Sequence, residues 1–250
     1  ATTEIYTLSL TTFFRSLRRG KETIYQKWDD TTAILLGDLI LGLSYKLLVK
    51  NLDAITTKKV IDVFNSGLVE VCLGQGYDLE FESHYDINIA EYEMMIEKKT
   101  SSLIKTSLLL GGIIGGANED EIEKLSLLGS QLGKAFQLQD DLLDITGEAK
   151  HFGKKIGHDI IEGKKTYLII KAKEKATKPE HKRILEKFYN NSGLNESEVV
   201  SMKQVFDELG VIKELQTLID DKFEYIFKMI NERSKSTRLS SSHRTISYAV

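Results

Sequence analysis

Residues 136–147 read FQLQDDLLDITG, and Asp140, Asp141 and Asp144 put three carboxylates within five positions. On an α-helix, at about 100° per residue, setting Asp140 at zero puts Asp144 at about 40°, Gln137 at about 60° and Asp141 at about 100°. Gly133 falls at about 20°, where the lack of a side chain would leave room beside the acids. Leu138, Leu142 and Leu143 point elsewhere and are free to pack. Like charges at these spacings destabilise a helix by roughly a few tenths of a kcal/mol per pair. A dry environment raises that cost steeply, because unpaired buried carboxylates are strongly disfavoured. A cation is therefore expected on this face; the plainer alternative is an exposed acidic stripe partnered by water.

The residue types narrow the cation. No cluster of Cys or His has ligand spacing, so zinc and other soft metals find no support. Counted from Asp140, the glycine falls at the eighth position and not the sixth, so an EF-hand loop fails as well. Carboxylates spread along one helix suit Mg2+, which keeps waters and shares its sphere with phosphate oxygens. Downstream, HFGKKIGHDIIEGKKTY supplies Lys154, Lys155, Lys164 and Lys165 among Gly153, Gly157 and Gly163. Acids for a metal followed by flexible basic loops for phosphate is the layout of a metal-bridged phosphate site.

The elements that must carry these groups read as helices. Pro179 is the single proline of the chain, and long helices exclude proline from their interiors. Residues 31–49 are apolar nearly all round, which predicts a core helix. Residues 58–73 and 89–114 carry helical spacing, and Asn118 caps a helix expected over 119–145, ending at Gly147. Further helices fit 164–175, 178–190, 197–209 and 211–232. Trp28, Phe64 and Tyr77 read as core residues, and His84, His151 and His158 as ordinary loop or surface residues. The fold class is all-α: one domain over 1–233, with a Ser- and Arg-rich tail over 234–250 that is expected to be loosely packed.

Composition sets the outer limits. The chain has 250 residues, 41% hydrophobic and 28% charged, as a soluble globular protein does. With 34 basic and 37 acidic residues (net −3), there is no electrostatic case for a nucleic-acid or anionic-membrane partner. The apolar run at 107–117 is well short of the roughly 20 residues of a membrane span, so no stable membrane insertion is expected. Cys72 is the only cysteine, which excludes an internal disulfide and fits a reducing compartment; with no secretion signal visible, a cytoplasmic location is expected.

Four blocks together resemble the trans-isoprenyl diphosphate synthases, or polyprenyl synthetases. FQLQDDLLDITG is similar to that family's second aspartate-rich motif, and GKKIGHDIIEGKKTY to the segment after it. LRRGK at 17–21, followed by AILLGD at 33–38, resembles the arginine pair behind the first motif and the next helix start; KKTSSL at 98–103 resembles the lysine–threonine pair. The likeness runs in order from about Glu4 to Glu232. It implies an isoprenoid-synthase-type helical bundle around a central cavity, using Mg2+ to condense isopentenyl diphosphate with an allylic diphosphate (dimethylallyl, geranyl or farnesyl), as a homodimer. It further implies Asp140, Asp141 and Asp144 on the metal; Lys99, Lys155, Lys164 and Arg18 on the allylic diphosphate; and Arg19 on isopentenyl diphosphate. Thr100 and Gln137 would offer oxygens to the developing cation, Asp159 would support the lysine loop, and Phe136 would line the isopentenyl pocket. The resemblance implies a product of C15–C20 or longer, and Leu8, where a large aromatic would stop the chain early, points to products longer than farnesyl.

One departure is plain. The family's first aspartate-rich motif belongs just before LRRG, but SLTTFFRSLRRG holds no acid, and none lies between Glu4 and Glu22. The family's first helices are expected to lie outside these residues. Besides an active prenyltransferase, the sequence therefore leaves open a non-catalytic partner or regulatory subunit, and a terpene cyclase with a similar acid cluster.

Overall fold

The computed structural model describes residues 17–18, 21–84, 86–147 and 156–241, the side chains of 17–18 and 232–241 excepted. Two short strands pair antiparallel, β1 (Leu17–Arg18) against β2 (Lys21–Glu22). Every other regular element among the described residues is helical. In order these are α1 (Ile24–Lys27), α2 (Asp30–Leu48), α3 (Ala54–Ser83), α4 (Ile89–Ile96), a π-helical turn (Glu97–Ser101) and α5 (Ser102–Ile114). After them come α6 (Glu119–Thr146), α7 (His158–Ile161), α8 (Tyr167–Lys175), α9 (Pro179–Asn190), α10 (Glu196–Glu208) and α11 (Val211–Ser241).

Short polar side chains start most of these helices by taking up orphan amides. Asp29 and Asp53 cap α2 and α3, while Asn88, Asn118 and Asn195 form reciprocal boxes with Glu91, Glu121 and Glu198. The cap expected at Asn118 is there. The core gathers Tyr92 and Ile96 of α4, Leu138, Leu142 and Ile145 of α6, Phe188 of α9, Phe206 of α10, and Leu215 and Ile219 of α11. Leu168, Ile169 and Ile170 are all buried because α8 is enclosed by α4, α6, α9, α10 and α11. Each such side chain contributes about 1.5–3 kcal/mol relative to exposure.

Three expectations need correction. The apolar helix at 31–49 exists as α2, but it is no core helix: Ala33 alone is buried, while Leu35, Leu39, Leu43 and Leu47 stand exposed. Among the described residues it packs on α1 and along one side of α3, so most of its apolar surface has no neighbour there. By length and composition α2 could cross a membrane, though a core or interface helix passes the same test. Trp28 is likewise exposed, with Lys27 over its ring. The stretch 89–114 is not one α-helix, since the π turn splits it: the Ser102 amide and hydroxyl both reach the Glu97 carbonyl, five residues back. Of the tail read from residue 234, the backbone continues α11 through Ser241, and residues 242–250 lie outside the described residues.

The π turn and α5 are clamped between α3 and α6 along a seam of glycines. A Cβ on Gly74 of α3 would lie 2.2 Å from the Lys99 amide nitrogen, and one on Gly133 of α6 would lie 2.3 Å from Ser101 Cα. Gly67 and Gly129 make similarly close approaches to Thr106 and Lys105. Gly133 therefore leaves no open space beside the acids, as its place on the helix suggested; Ser101 fills it.

Candidate active site

The C-terminal half of α6 carries the acids, the π turn carries Lys98, Lys99 and Thr100, and the segment from Gly157 to Lys165 closes over the end of α6. Because α6 meets the π turn nearly backbone to backbone, their side chains meet one turn further along. The Thr100 hydroxyl donates to Gln137 Oε1 at 2.8 Å, and Gln137 Nε2 donates to Asp141 Oδ1 at 2.9 Å. From the other side the Tyr92 hydroxyl donates to Asp141 Oδ2 at 2.7 Å.

The three aspartates do not act alike. Asp140 is exposed and Asp144 half-buried, whereas Asp141 is 3% exposed with both oxygens taken by protein donors. Of the three aspartates expected on the metal, Asp141 is thus the one already engaged by the protein at both oxygens. The physical reason lies in the helix wheel. Leu138, Leu142 and Ile145 fall at about 160°, about 200° and about 140°, so the acid at about 100° is the one that borders the buried face. That pattern was available in the sequence. Tyr92 was not, because no spacing rule links residues on separate helices.

Burial pushes the Asp141 carboxyl up to about 7, helped by the charge of Asp159 and opposed by the bonds from Tyr92 and Gln137. Burial, with the Asp141 charge, holds the Tyr92 phenol well above its usual value, so it stays a neutral donor. Asp144 anchors the loop: its Oδ2 accepts from the Asp159 amide at 3.1 Å, and its carbonyl from the Gly157 amide at 2.7 Å. Gly157 and Gly163 take positive φ, 71° and 73°, on either side of α7, turns that glycine enters without strain.

Two lysines stand at the site, each on a carboxylate. Lys164 Nζ lies 2.6 Å from Asp159 Oδ1 and 3.0 Å from Glu162. Burial alone would lower the Lys164 ammonium, but Asp159 and Glu162 override it and raise it above its ordinary range. Lys99 Nζ lies 2.5 Å from Asp78 on α3. Lys165 turns away to donate to the Glu82 carbonyl at 2.5 Å. Phe136 is exposed. Arg19, Lys154 and Lys155 lie outside the described residues, as does the side chain of Arg18.

Among the described residues no three His, Cys, Asp or Glu side chains converge on a ready-made metal centre. Asp140 and Asp144, one turn apart on α6, are hard oxygen donors, and the lysine ammonium groups nearby suit phosphate oxygens. That donor set fits a hydrated Mg2+ completed by a diphosphate.

Comparison with known proteins places the chain in a family. The family model for polyprenyl synthetase matches residues 15–209. The chain is 36% identical over 208 residues to a short chain isoprenyl diphosphate synthase of Methanocaldococcus jannaschii, covering 83% of this chain and 59% of that protein. It is 40% identical over 183 residues to a geranylgeranyl diphosphate synthase of Saccharolobus solfataricus, covering 72% of this chain and 55% of that one. It thus spans less than two thirds of the length of these relatives. The crystal structure of geranylgeranyl pyrophosphate synthetase from Pyrococcus horikoshii superposes with a TM-score of 0.81 at 31% identity, covering 92% of this chain and 71% of that one. With the aspartate motif, the lysine–threonine pair and the closing lysine loop set around one helix end, and the family match spanning most of the chain, this is a member of the polyprenyl synthetase family.

Proposed function

We propose that the chain is the catalytic part of a Mg2+-dependent trans-prenyltransferase that condenses isopentenyl diphosphate with an allylic diphosphate, giving a product of C15–C20 or longer. The observation that supports this reading is the hydrogen-bond chain from Thr100 through Gln137 to Asp141 on the helix that carries Asp140 and Asp144, with the Asp144 carboxylate accepting from the amide of Asp159, the partner of Lys164. In the reaction, the allylic C–O bond breaks, diphosphate departs with the electron pair, and the isopentenyl double bond attacks the allylic carbon. A proton then leaves to the pyrophosphate. When bound, Mg2+ would supply charge neutralisation to the departing diphosphate, and Asp140 and Asp144 are the residues to hold it.

Lys99 and Lys164 bind phosphate oxygens, and the Thr100 and Gln137 oxygens face the electron-poor carbon. Asp159 keeps Lys164 extended and charged. The exposed leucines of α2, with Val69 and Leu73 of α3, offer an apolar face suited to a homodimer. A cytoplasmic location without membrane insertion fits this reading; sedimentation and cell fractionation test those two points.

The experiment for the activity is Mg2+-dependent incorporation of radiolabelled isopentenyl diphosphate, with identification of the product. A cyclic hydrocarbon would favour a terpene cyclase. The stretch without acid between Glu4 and Glu22 supports a second reading, a partner subunit that binds diphosphate without turning it over. A version with an acidic motif built in before Leu17 separates the two. Turnover only in that version supports the partner role for this chain.

A further inference from the structure

Tyr92 is buried at 2% exposure, and its hydroxyl makes a single contact with the site, the 2.7 Å bond to Asp141 Oδ2. Beyond Asp141 the bonds run in one sense: Gln137 Nε2 donates to Asp141 Oδ1, and Thr100 Oγ1 donates to Gln137 Oε1. Two of the three donors end on the Asp141 carboxylate, and the third, Thr100, donates to Gln137 in the same sense. A carbonyl oxygen has two lone pairs and a hydroxyl oxygen has two more. This polarity leaves Gln137 Oε1 one acceptor site and Thr100 Oγ1 both of its own. An amide turned the other way would present N–H donors instead, which repel an electron-poor carbon.

Resting on the prenyltransferase reading, we propose that Tyr92 is a positioning residue that sets the polarity of the Tyr92–Asp141–Gln137–Thr100 chain, and so aims two oxygen acceptors at the allylic cation. Tyr92 touches neither substrate nor metal. By holding Asp141 Oδ2 it fixes the carboxylate with Oδ1 turned to Gln137 Nε2, which fixes the amide. The aromatic ring is held independently, edge-on to Tyr167 at 6.4 Å between centroids, so loss of the hydroxyl alone leaves the packing in place.

The test uses binding and needs no turnover. Calorimetry with the full chain and Mg2+ compares three probes: inorganic pyrophosphate, an alkyl diphosphate, and the same diphosphate with a tertiary ammonium in place of the reacting carbon. The parent is expected to prefer the ammonium compound over the neutral one. Tyr92→Phe should reduce that preference about tenfold, the scale of one hydrogen bond to a charged centre, with the affinity for pyrophosphate unchanged. In a Gln137→Ala background, Tyr92→Phe should change the preference no further, whereas a merely structural role would give additive losses. Should Tyr92→Phe not fold, Asp141→Asn, which breaks the same polarity, is expected to show the same loss. A preference retained in Tyr92→Phe, or in Asp141→Asn where that variant decides, overturns the proposal alone. A parent that binds no Mg2+ pyrophosphate overturns the prenyltransferase reading and this inference with it.

Discussion

Consider replacing Gly74 by alanine. A Cβ there would lie 2.2 Å from the Lys99 amide nitrogen and 2.5 Å from Lys99 Cα. To bring those atoms back to ordinary van der Waals contact, α3 and the π turn must part by about 1 Å. The atoms in the way are backbone, which no rotamer change can move. A gap of about 1 Å forfeits up to about half of the dispersion energy along the contact, and overpacking of this kind typically costs about 1–3 kcal/mol. Alanine returns at most about 1 kcal/mol through helix propensity. The net loss is about 1–2 kcal/mol, a fall in Tm of about 2–8 °C for a chain of this size. Gly111 of α5 is the control, because a Cβ there meets nothing within 4 Å and only the propensity gain remains. Gly111→Ala should therefore raise Tm by about 1–4 °C. Thermal unfolding followed by circular dichroism decides. If Gly74→Ala is neutral or stabilising, the backbone-to-backbone seam is wrong.

Three further outcomes follow from the site. Asp141 holds its proton longer when folded than its ordinary value of 3.8 allows, up to about 7, so its contribution is most favourable at low pH and is lost as pH rises between those values. The slope of about 1.4 kcal/mol per pH unit amounts to as much as about 4 kcal/mol, which Asp141→Asn should abolish; parallel urea-stability profiles of parent and variant in metal-free buffer would refute this. Saturating pyrophosphate should raise the parent's Tm by about 5 °C in Mg2+ but not in EDTA, and Asp140→Ala with Asp144→Ala should lose that shift. Gly163→Ala combines a left-handed φ of 73° with a Cβ 2.3 Å from the Ser192 carbonyl oxygen, so the urea midpoint should fall by the equivalent of about 2–4 kcal/mol; an unchanged midpoint contradicts the turn geometry.

Much of the helical order was legible in the sequence, because the scarcity of proline, apolar spacing and caps such as Asn118 act locally. The pairing of Thr100 with Gln137 was reachable through motif likeness, as was the support of the lysine loop by Asp159. What escaped was set by partners. The leucines of α2 show an apolar helix but not what lies against it. The π turn inserts one residue into an otherwise continuous pattern, and spacing rules tolerate that shift without registering it. Asp141 shares its chemistry with Asp140, yet an angle of about 100° around α6 sends one inward and leaves the other out. Gly133 is silent by nature: an absent side chain can mark a vacancy or a contact, and only the neighbouring backbone tells which.

The glycine seam also bears on how this protein can change over time. The spacing between the Thr100 and Gln137 stations is inherited largely from close backbone approaches at Gly74 and Gly133, with the small side chain of Ser101 pressed into the second of them. Residues elsewhere on α3, α5 and α6 are then at liberty to drift without retuning the reaction centre. The few small positions that let the helices touch carry the constraint that, in a looser bundle, would be spread over dozens of packing residues.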